Sequence, residues 1–358
     1  MANDEPQLQA EFKEKLMALS RSDCGEIPLD DAILKALPRG TKVQSAHRHG
    51  VSGSAFTAKI NAVGSHGSPT PFFLKYVAGE TGKDQLRGEY TGMMKLHEVA
   101  PDLVPKPIAW GKLKKAVPAA YFILIEFKHF APGLPDPAKL GIRLAAMHEK
   151  SAVPGGNFGF HMQTYDGARI QAIGWDSSWT SFFSKLLAEA HRQDAATNGA
   201  WHELDIVFER AQSHLIPRLI GAVEADGRKV TPVVIHGDLW DGNVANDSNS
   251  GDPWIFDCAA YYAHHEMELG IWRAERHQLR AEVFRKAYFK NMEPSEPQEE
   301  ADDRNRLYSV KTNLMHSACI SGSPARRLAV NDMFELIQKY VPWNGASPEY
   351  AMVRKCAG

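Results

Sequence analysis

A short segment, VVIHGDLWDGN (233–243), joins an apolar run to side chains that can hold a metal ion or a proton. The carboxylate of Asp238 can accept the proton of a hydroxyl group and orient its oxygen. The amide oxygen of Asn243, five residues later, can hold Mg²⁺. Gly237 and Gly242 permit the backbone turns that let both side chains face one cavity. The pattern predicts phosphoryl transfer, which needs an oriented hydroxyl and a place for phosphate charge.

The order of these residues, His-x-Asp followed by four residues and Asn, is the spacing of kinase catalytic loops. Asp257 follows fourteen residues after Asn243, in the short apolar segment WIFDC, and is predicted to be a second metal ligand. The turn-forming sequence NDSNSGD between them favours a hairpin, which would place Asp257 beside Asn243. A metallohydrolase is the alternative, because a His-x-Asp pair at a strand end suits that chemistry too.

Two charged residues upstream favour the kinase interpretation. Lys75 interrupts the strand-like segment FFLKYV, and Glu89 follows fourteen residues later on a predicted helix. Taken singly, Lys75 could be a lysine at a strand end and Glu89 a solvated helix charge. In this order before the Asp238 cluster, they match a lysine that contacts phosphate oxygens and a glutamate that positions it.

Two further segments are predicted to contact a nucleotide. In HGVSGSAF, Gly50, Ser52 and Gly53 lie where a phosphate-covering turn belongs, and the glycines would let backbone N–H groups approach phosphate. The segment is neither GxGxxG nor a Walker loop. In LIEFK, backbone groups of Glu126 and Lys128 could pair with an adenine edge, as in a kinase hinge.

The elements needed to position these groups fall into two regions. Residues 43–76 and 119–127 favour strands, and residues 84–98 place their apolar side chains on one face, as in a helix. We therefore predict a small α+β lobe over residues 1–128, with the nucleotide site. Residues 129–358 are predicted to form a larger, mainly helical lobe with the catalytic and substrate groups.

Within the larger lobe, the sequence predicts helices over AKLGIRLAAMHEK, near 178–190 and 201–220, and from 268 onward. Trp175 and Trp179 are predicted to be a core pair. The segment 291–305, NMEPSEPQEEADDRN, is rich in proline and acidic residues and is predicted to be a mobile surface connection.

Composition excludes several other classes of protein. The chain has 358 residues, 23% of them charged, and a formal net charge of −2, so no nucleic-acid partner is expected. The four cysteines lie far apart, which argues against disulfides or a zinc site. We expect no signal peptide, no membrane span and no membrane partner, and therefore a cytoplasmic protein.

The motifs VIHGDLWDGNVA and WIFDCAAYYAHHEMELG, with FGFH and WTSFF upstream, resemble the fructosamine-3-kinase (ketosamine-3-kinase) family. That family lies within the aminoglycoside phosphotransferase and choline kinase superfamily. The resemblance runs from about Gly50 to Gly270 and implies a bilobal protein-kinase-like fold. It also implies ATP, Mg²⁺ and phosphorylation of the C3 hydroxyl of ketosamines, free or on glycated proteins. This reaction begins deglycation.

Two substrate positions and two departures belong to this resemblance, and the place of Trp240 within the catalytic loop suggests a third substrate position. The first departure is the phosphate turn, which is less glycine-rich than is common in the family. The indole of Trp240 could stack on the apolar face of a sugar or pack under the loop. His264 and Glu266 are expected at the substrate rim or as supports of the metal loop. Cys258 replaces the usual proline after the metal aspartate, which removes no ligand.

Two alternatives stay open. One is a kinase for another small hydroxyl compound, such as an aminoglycoside or an amino alcohol; the basic segments RNRLYSVK and SPARRLAV argue mildly against a polycationic substrate. The other is a nucleotide-binding pseudokinase scaffold, which would require a missing catalytic group.

Overall fold

The computed structural model describes residues 27–50, 55–343 and 347–354. The chain divides into two compact units, Met1–Ala131 and Pro132–Gly358. None of the helices in the described ranges combines the length and apolarity that crossing a membrane requires.

The first unit is a twisted antiparallel sheet with one long helix. The sheet has the strand order β1-β2-β3-β5-β4, and each neighbouring pair runs antiparallel. The elements of this unit are α1 (Asp31–Ala36), β1 (Lys42–Arg48), β2 (Phe56–Val63), β3 (Phe72–Ala78), α2 (Gly79–Val99), β4 (Pro107–Lys112), β5 (Ala120–Glu126) and β6 (Phe130–Ala131).

The apolar pattern explains most of this unit. Ile60, Leu74 and Phe122 lie on neighbouring strands and are buried in one cluster, as strand-forming apolar residues should be. Helix α2 begins at Gly79, five residues before the predicted start, because glycines of low helix propensity obscure its first turns in the sequence. Strand β4 was not predicted.

The second unit is mainly helical. Its elements are α3 (Pro137–Ser151), β7 (Tyr165–Asp166), β8 (Arg169–Ile170), α4 (Trp179–Asn198), α5 (His202–Arg210), a π-helix (Ala211–Ile220), a 3₁₀-helix (Gly221–Glu224), β9 (Val233–Ile235), β10 (Val244–Asp247), β11 (Pro253–Ile255), β12 (Tyr261–Ala263), 3₁₀-helices (His265–Arg273, Gln278–Arg280), α6 (Glu282–Phe289), a 3₁₀-helix (Gln298–Glu300), α7 (Ala301–Cys319), α8 (Ala325–Tyr340) and α9 (Pro348–Arg354).

An aromatic cluster between α4 and α7 forms the centre of the second unit. Trp179 is fully buried, and its indole N–H donates to the hydroxyl of Tyr308 over 2.8 Å. Phe182 and Phe183 pack against the same indole. The prediction that Trp175 and Trp179 both lie in the core holds for Trp179 and is wrong for Trp175, which is 50% exposed and lies near Tyr262.

The segment 291–305 also differs from the prediction. Helix α7 already begins at Ala301, and Arg304 within it is completely buried. The backbone N–H of Ser295 donates to Glu266 over 2.8 Å, which ties the preceding loop to the interior. Acidic residues and proline suggested a mobile connection, but a buried ion pair holds this segment in place.

Candidate active site

The central loop leaves strand β9 after Ile235, next to strand β12, with which β9 pairs antiparallel. Gly237 has φ = +80°, a conformation that favours glycine. A Cβ atom at this position would lie 2.5 Å from the carbonyl oxygen of Ala259, so no larger residue fits here. The close approach of the two segments therefore requires glycine, and it fixes the path of the chain into Asp238.

A buried carboxylate braces the start of the loop. Glu268 accepts hydrogen bonds from the backbone N–H groups of His236 and Gly237. Burial alone would raise the pKa of Glu268, but the neighbouring His148 and the His236 N–H lower it below its ordinary value. No role was predicted for Glu268 from the sequence, where only its place in HHEMELG sets it apart.

Asn243 connects the two acidic residues of the site. Its side-chain amide donates to the carbonyl oxygen of Asp238 over 2.8 Å and to Asp238 Oδ2 over 3.1 Å. The same amide lies 3.2 Å from the carbonyl oxygen of Asp257. Because the NH₂ group is used by the loop, the amide oxygen is the atom of Asn243 left for a cation.

The predicted hairpin is confirmed. Strand β10 pairs antiparallel with β11, with Val244 opposite Ile255, and the N–H of Phe256 donates to the carbonyl of Asn243. Asp257 follows at the end of β11, is exposed, and has φ = +61°. A left-handed backbone is uncommon outside glycine, and such residues occur at turns and cluster at active sites.

Negative charge is concentrated around Asp238. Burial raises the pKa of its carboxyl well above the ordinary 3.8, and the charges of Asp166 and Asp257 raise it further. The ammonium of Lys311 and the amide of Asn243 act in the opposite direction. Such a pocket attracts cations, whether a metal ion or a positively charged substrate.

In the first unit, the predicted pairing of a strand lysine with a helix glutamate is present. Lys75 on β3 and Glu89 on α2 form an ion pair of 2.8 Å, and both side chains are less than a tenth exposed. Separating the two side chains would leave each charge buried without a partner. The ion pair therefore holds both side chains in one position.

Comparison with known proteins identifies the family. The model of the fructosamine kinase family matches residues 33–338, which is most of the chain. The chain belongs to the fructosamine kinase family.

Named relatives are similar over part of their length. A chloroplastic protein-ribulosamine 3-kinase of Oryza sativa subsp. japonica is 32% identical over 206 residues, covering 56% of this chain and 55% of the relative. The protein of the same name in Arabidopsis thaliana is 31% identical over 245 residues, with coverages of 66% and 68%. The chain thus spans about half the length of the rice relative.

Solved structures establish the fold of this fructosamine kinase family member. A protein of Thermobifida fusca assigned as a fructosamine-3-kinase superposes with a TM-score of 0.64 at 22% identity, over 84% of this chain and 95% of that one. An aminoglycoside phosphotransferase in complex with AMP-PNP and hygromycin B gives 0.56 at 13% identity, over 87% and 98%. The predicted α+β, protein-kinase-like fold is confirmed.

The nucleotide positions predicted for this family member are only partly described. Gly50 has φ = +77°, whereas Ser52 and Gly53 lie outside the described residues. The N–H of Glu126 donates to the carbonyl of Lys106 over 2.8 Å, so the predicted adenine contact cannot use that N–H. Lys128 forms an ion pair of 2.6 Å with Glu126. Their nucleotide roles stay predictions.

Trp240 packs within the loop. Its indole lies so close to Gly242 that a Cβ atom there would be 2.2 Å from the ring, and its other face is near His277, with the ring centres 5.3 Å apart. The side chain is half-buried, which leaves part of the ring for a substrate. Both interpretations of Trp240 made from the sequence remain compatible with this position.

His264 and Glu266 do not lie on a rim. Both are buried, with His264 between the hydroxyls of Tyr308 and Ser295, and with Glu266 in a bidentate ion pair with Arg304. In the described part of the chain, neither makes a hydrogen bond to the loop, which is braced instead by Glu268. His264, His265 and Glu266 lie close enough together to hold a metal ion, but Arg304 already occupies both oxygens of Glu266.

Proposed function

We propose that this chain is an ATP-dependent kinase that phosphorylates the C3 hydroxyl of ketosamines, either free or on glycated proteins. The observation that carries the proposal is the cluster of Asp238, Asn243 and Asp257, joined by one amide group in a chain of the fructosamine kinase family. The ion pair between Lys75 and Glu89 supports it, since kinases place a lysine on nucleotide phosphates in this way.

In this proposal, side chains of the protein orient the reacting hydroxyl and neutralise the charge of the phosphates. Asp238 accepts the proton of the attacking hydroxyl and orients its oxygen toward the γ-phosphate. Glu268 holds the backbone that carries Asp238, so the carboxylate needs little rearrangement during the reaction. Lys75, held by Glu89, neutralises phosphate charge. We expect these events in the cytoplasm, with no nucleic acid or membrane partner.

The donors at the loop fit Mg²⁺. An amide oxygen at Asn243 and an exposed carboxylate at Asp257 are hard oxygen ligands of the kind that binds Mg²⁺ together with phosphate groups. A bound Mg²⁺ would neutralise charge on the phosphates of ATP.

ADP release with a panel of acceptors tests the proposal. Ribulose-lysine and fructose-lysine should be phosphorylated, and ³¹P NMR should place the phosphate on C3. Hygromycin B and choline serve as competing acceptor classes. Turnover of either of these without turnover of any ketosamine would replace the proposal with the aminoglycoside or amino-alcohol alternative.

Within the ketosamines, we expect a preference for the smaller sugar. Trp240 lies two residues from Asp238 and would narrow the space beside the reacting hydroxyl. One additional hydroxymethyl group in a tight pocket corresponds to roughly a 10- to 200-fold difference in kcat/KM. Equal values for the two lysine adducts would contradict this steric argument.

A further inference from the structure

A further carboxylate, Asp166, lies on the hairpin formed by β7 and β8. The ammonium of Lys311 donates to Asp166 Oδ2 over 2.8 Å and to the side-chain oxygen of Gln171 over 2.9 Å. Lys311 is 2% exposed, whereas the side chain of Asp166 keeps 19% of its accessible surface. The lysine therefore fixes a carboxylate that a solute can still reach.

Hydrogen bonds tie this hairpin to the catalytic segment. The amide of Gln171 donates to the carbonyl of Ala259 over 3.1 Å, and the N–H of Ala259 donates to the carbonyl of His236 over 2.9 Å. Gln171, which shares Lys311 with Asp166, is thus bonded to Ala259, two residues after Asp257. Ala259 is in turn bonded to His236, two residues before Asp238. Consistent with this placement, the charge of Asp166 raises the pKa of Asp238.

One oxygen of Asp166 is left for a ligand. Lys311 holds Oδ2, and no hydrogen bond to Oδ1 is made within the described part of the chain. A carboxylate oriented in this way, on a hairpin that is hydrogen-bonded to the segment after Asp257, favours a cation over a neutral or anionic group.

Resting on the function proposed above, we propose that Asp166 binds the ammonium of the ketosamine and so selects amine-linked sugars. In a ketosamine the nitrogen is on C1 and the reacting hydroxyl is on C3. Four bonds separate these two atoms, so they lie at most about 5 Å apart. When Asp238 orients the C3 hydroxyl, the ammonium on C1 therefore lies close enough for a neighbouring carboxylate to bind it. Asp166, held in place by Lys311, is thus a specificity-determining residue.

The test compares two acceptors that differ in one atom. Ribulose-lysine carries a secondary ammonium, and its ether analogue has oxygen in place of that nitrogen and no charge. Wild-type enzyme should prefer the amine in kcat/KM by roughly 10- to 150-fold, the range for a hydrogen bond to a charged group. Asp166→Asn should remove that preference, lowering kcat/KM for the amine by a larger factor than for the ether.

The ether also controls for a structural role of Asp166. If Asp166 only satisfies the buried charge of Lys311, Asp166→Asn will lower turnover of both acceptors by the same factor, which overturns the proposal. An amine preference that persists in Asp166→Asn also overturns it. Asp226→Asn, at an exposed turn position with φ = +56°, is the matched control and should change neither acceptor.

Failure of the proposed function would be recognised separately. Wild-type enzyme that phosphorylates no ketosamine would overturn both proposals together. Wild-type enzyme that phosphorylates both the amine and the ether equally would overturn only the role of Asp166.

Discussion

At the scale of single residues, Asp238, the proposed base, has to meet two opposing requirements. A base must be ionised, yet burial and two nearby carboxylates favour its protonated form. The amide of Asn243, donating to Asp238 Oδ2, stabilises the ionised form. A cation at Asn243 and Asp257 would do the same, so the residues proposed to bind the metal would also prepare the base.

Replacing Asp238 by Asn should abolish turnover without unfolding the protein. Asparagine is the same size and its oxygen can still accept from the amide of Asn243, but it cannot take a proton. We expect kcat to fall by roughly 10²- to 10⁴-fold, the contribution typical of a general base. Calorimetry should show unchanged ATP affinity and melting temperature. Near-normal kcat would remove Asp238 from this role.

Asp257→Asn should weaken the Mg²⁺ dependence of nucleotide binding. Asparagine tolerates the left-handed backbone at this position (φ = +61°), so the variant removes a charge without adding strain. Mutating a residue that hydrogen-bonds a metal ligand typically lowers metal affinity by roughly 10- to 100-fold. Loss of the ligand itself should lower the affinity for Mg²⁺ by at least this factor.

Isothermal titration of ATP over a range of Mg²⁺ concentrations measures this change. The control is Asp252→Asn, on the same hairpin but paired with Lys139 and Arg143. An unchanged Mg²⁺ titration in Asp257→Asn would show that the metal is held elsewhere.

At the scale of elements, the ion pair of Glu266 and Arg304 joins three parts of the second unit. Glu266 lies on the 3₁₀-helix His265–Arg273, and Arg304 lies on α7. Arg304 also donates to the carbonyls of Ser295 and Pro297 in the loop before α7. With both side chains almost completely buried, the pair orders the loop rather than forming a ligand site.

Glu266→Gln should therefore destabilise the second unit. Removing one partner of a buried ion pair leaves an uncompensated charge and costs about 3–5 kcal/mol of unfolding free energy. Urea denaturation should show this loss, and limited proteolysis should cut first within residues 291–300. Restoration of part of the stability by Glu266→Leu combined with Arg304→Met would identify the unpaired charge as the cause. A loss below about 1 kcal/mol would contradict this account.

The same helix shows what the sequence could and could not predict. The hairpin over residues 243–257 was predictable because its turn sequence is local. The pairing of Lys75 with Glu89 was predictable from the known spacing in kinases, and both predictions held. Helix α7 buries Arg304 and Lys311, whose partners Glu266 and Asp166 are 38 and 145 residues distant. Such polar residues look solvent-exposed in a hydrophobicity pattern. Only their distant partners make burial favourable.

At the scale of the whole molecule, buried histidines set the response to acid. Desolvation lowers the pKa of six of the described histidines, of which His236, His264 and His265 are buried and His49, His277 and His316 are more exposed. For His264 the pKa falls to about 4, from an ordinary 6.5. Between these values the unfolded chain binds a proton at this residue that the folded chain does not.

We predict that stability falls as the pH is lowered from 6.5 toward 4, a decline that begins above the range in which most carboxylates titrate. Unfolding takes up protons in this window, so the free energy of unfolding decreases with decreasing pH. A shift from 6.5 to about 4 corresponds to about 3 kcal/mol for His264 alone. Melting temperatures measured from pH 8 to 4.5 should decline below pH 6.5, and less steeply in His264→Gln. His66→Gln, at an exposed turn, should follow the wild type. A melting temperature that stays constant down to pH 4.5 would show that these histidines are protonated in the folded protein.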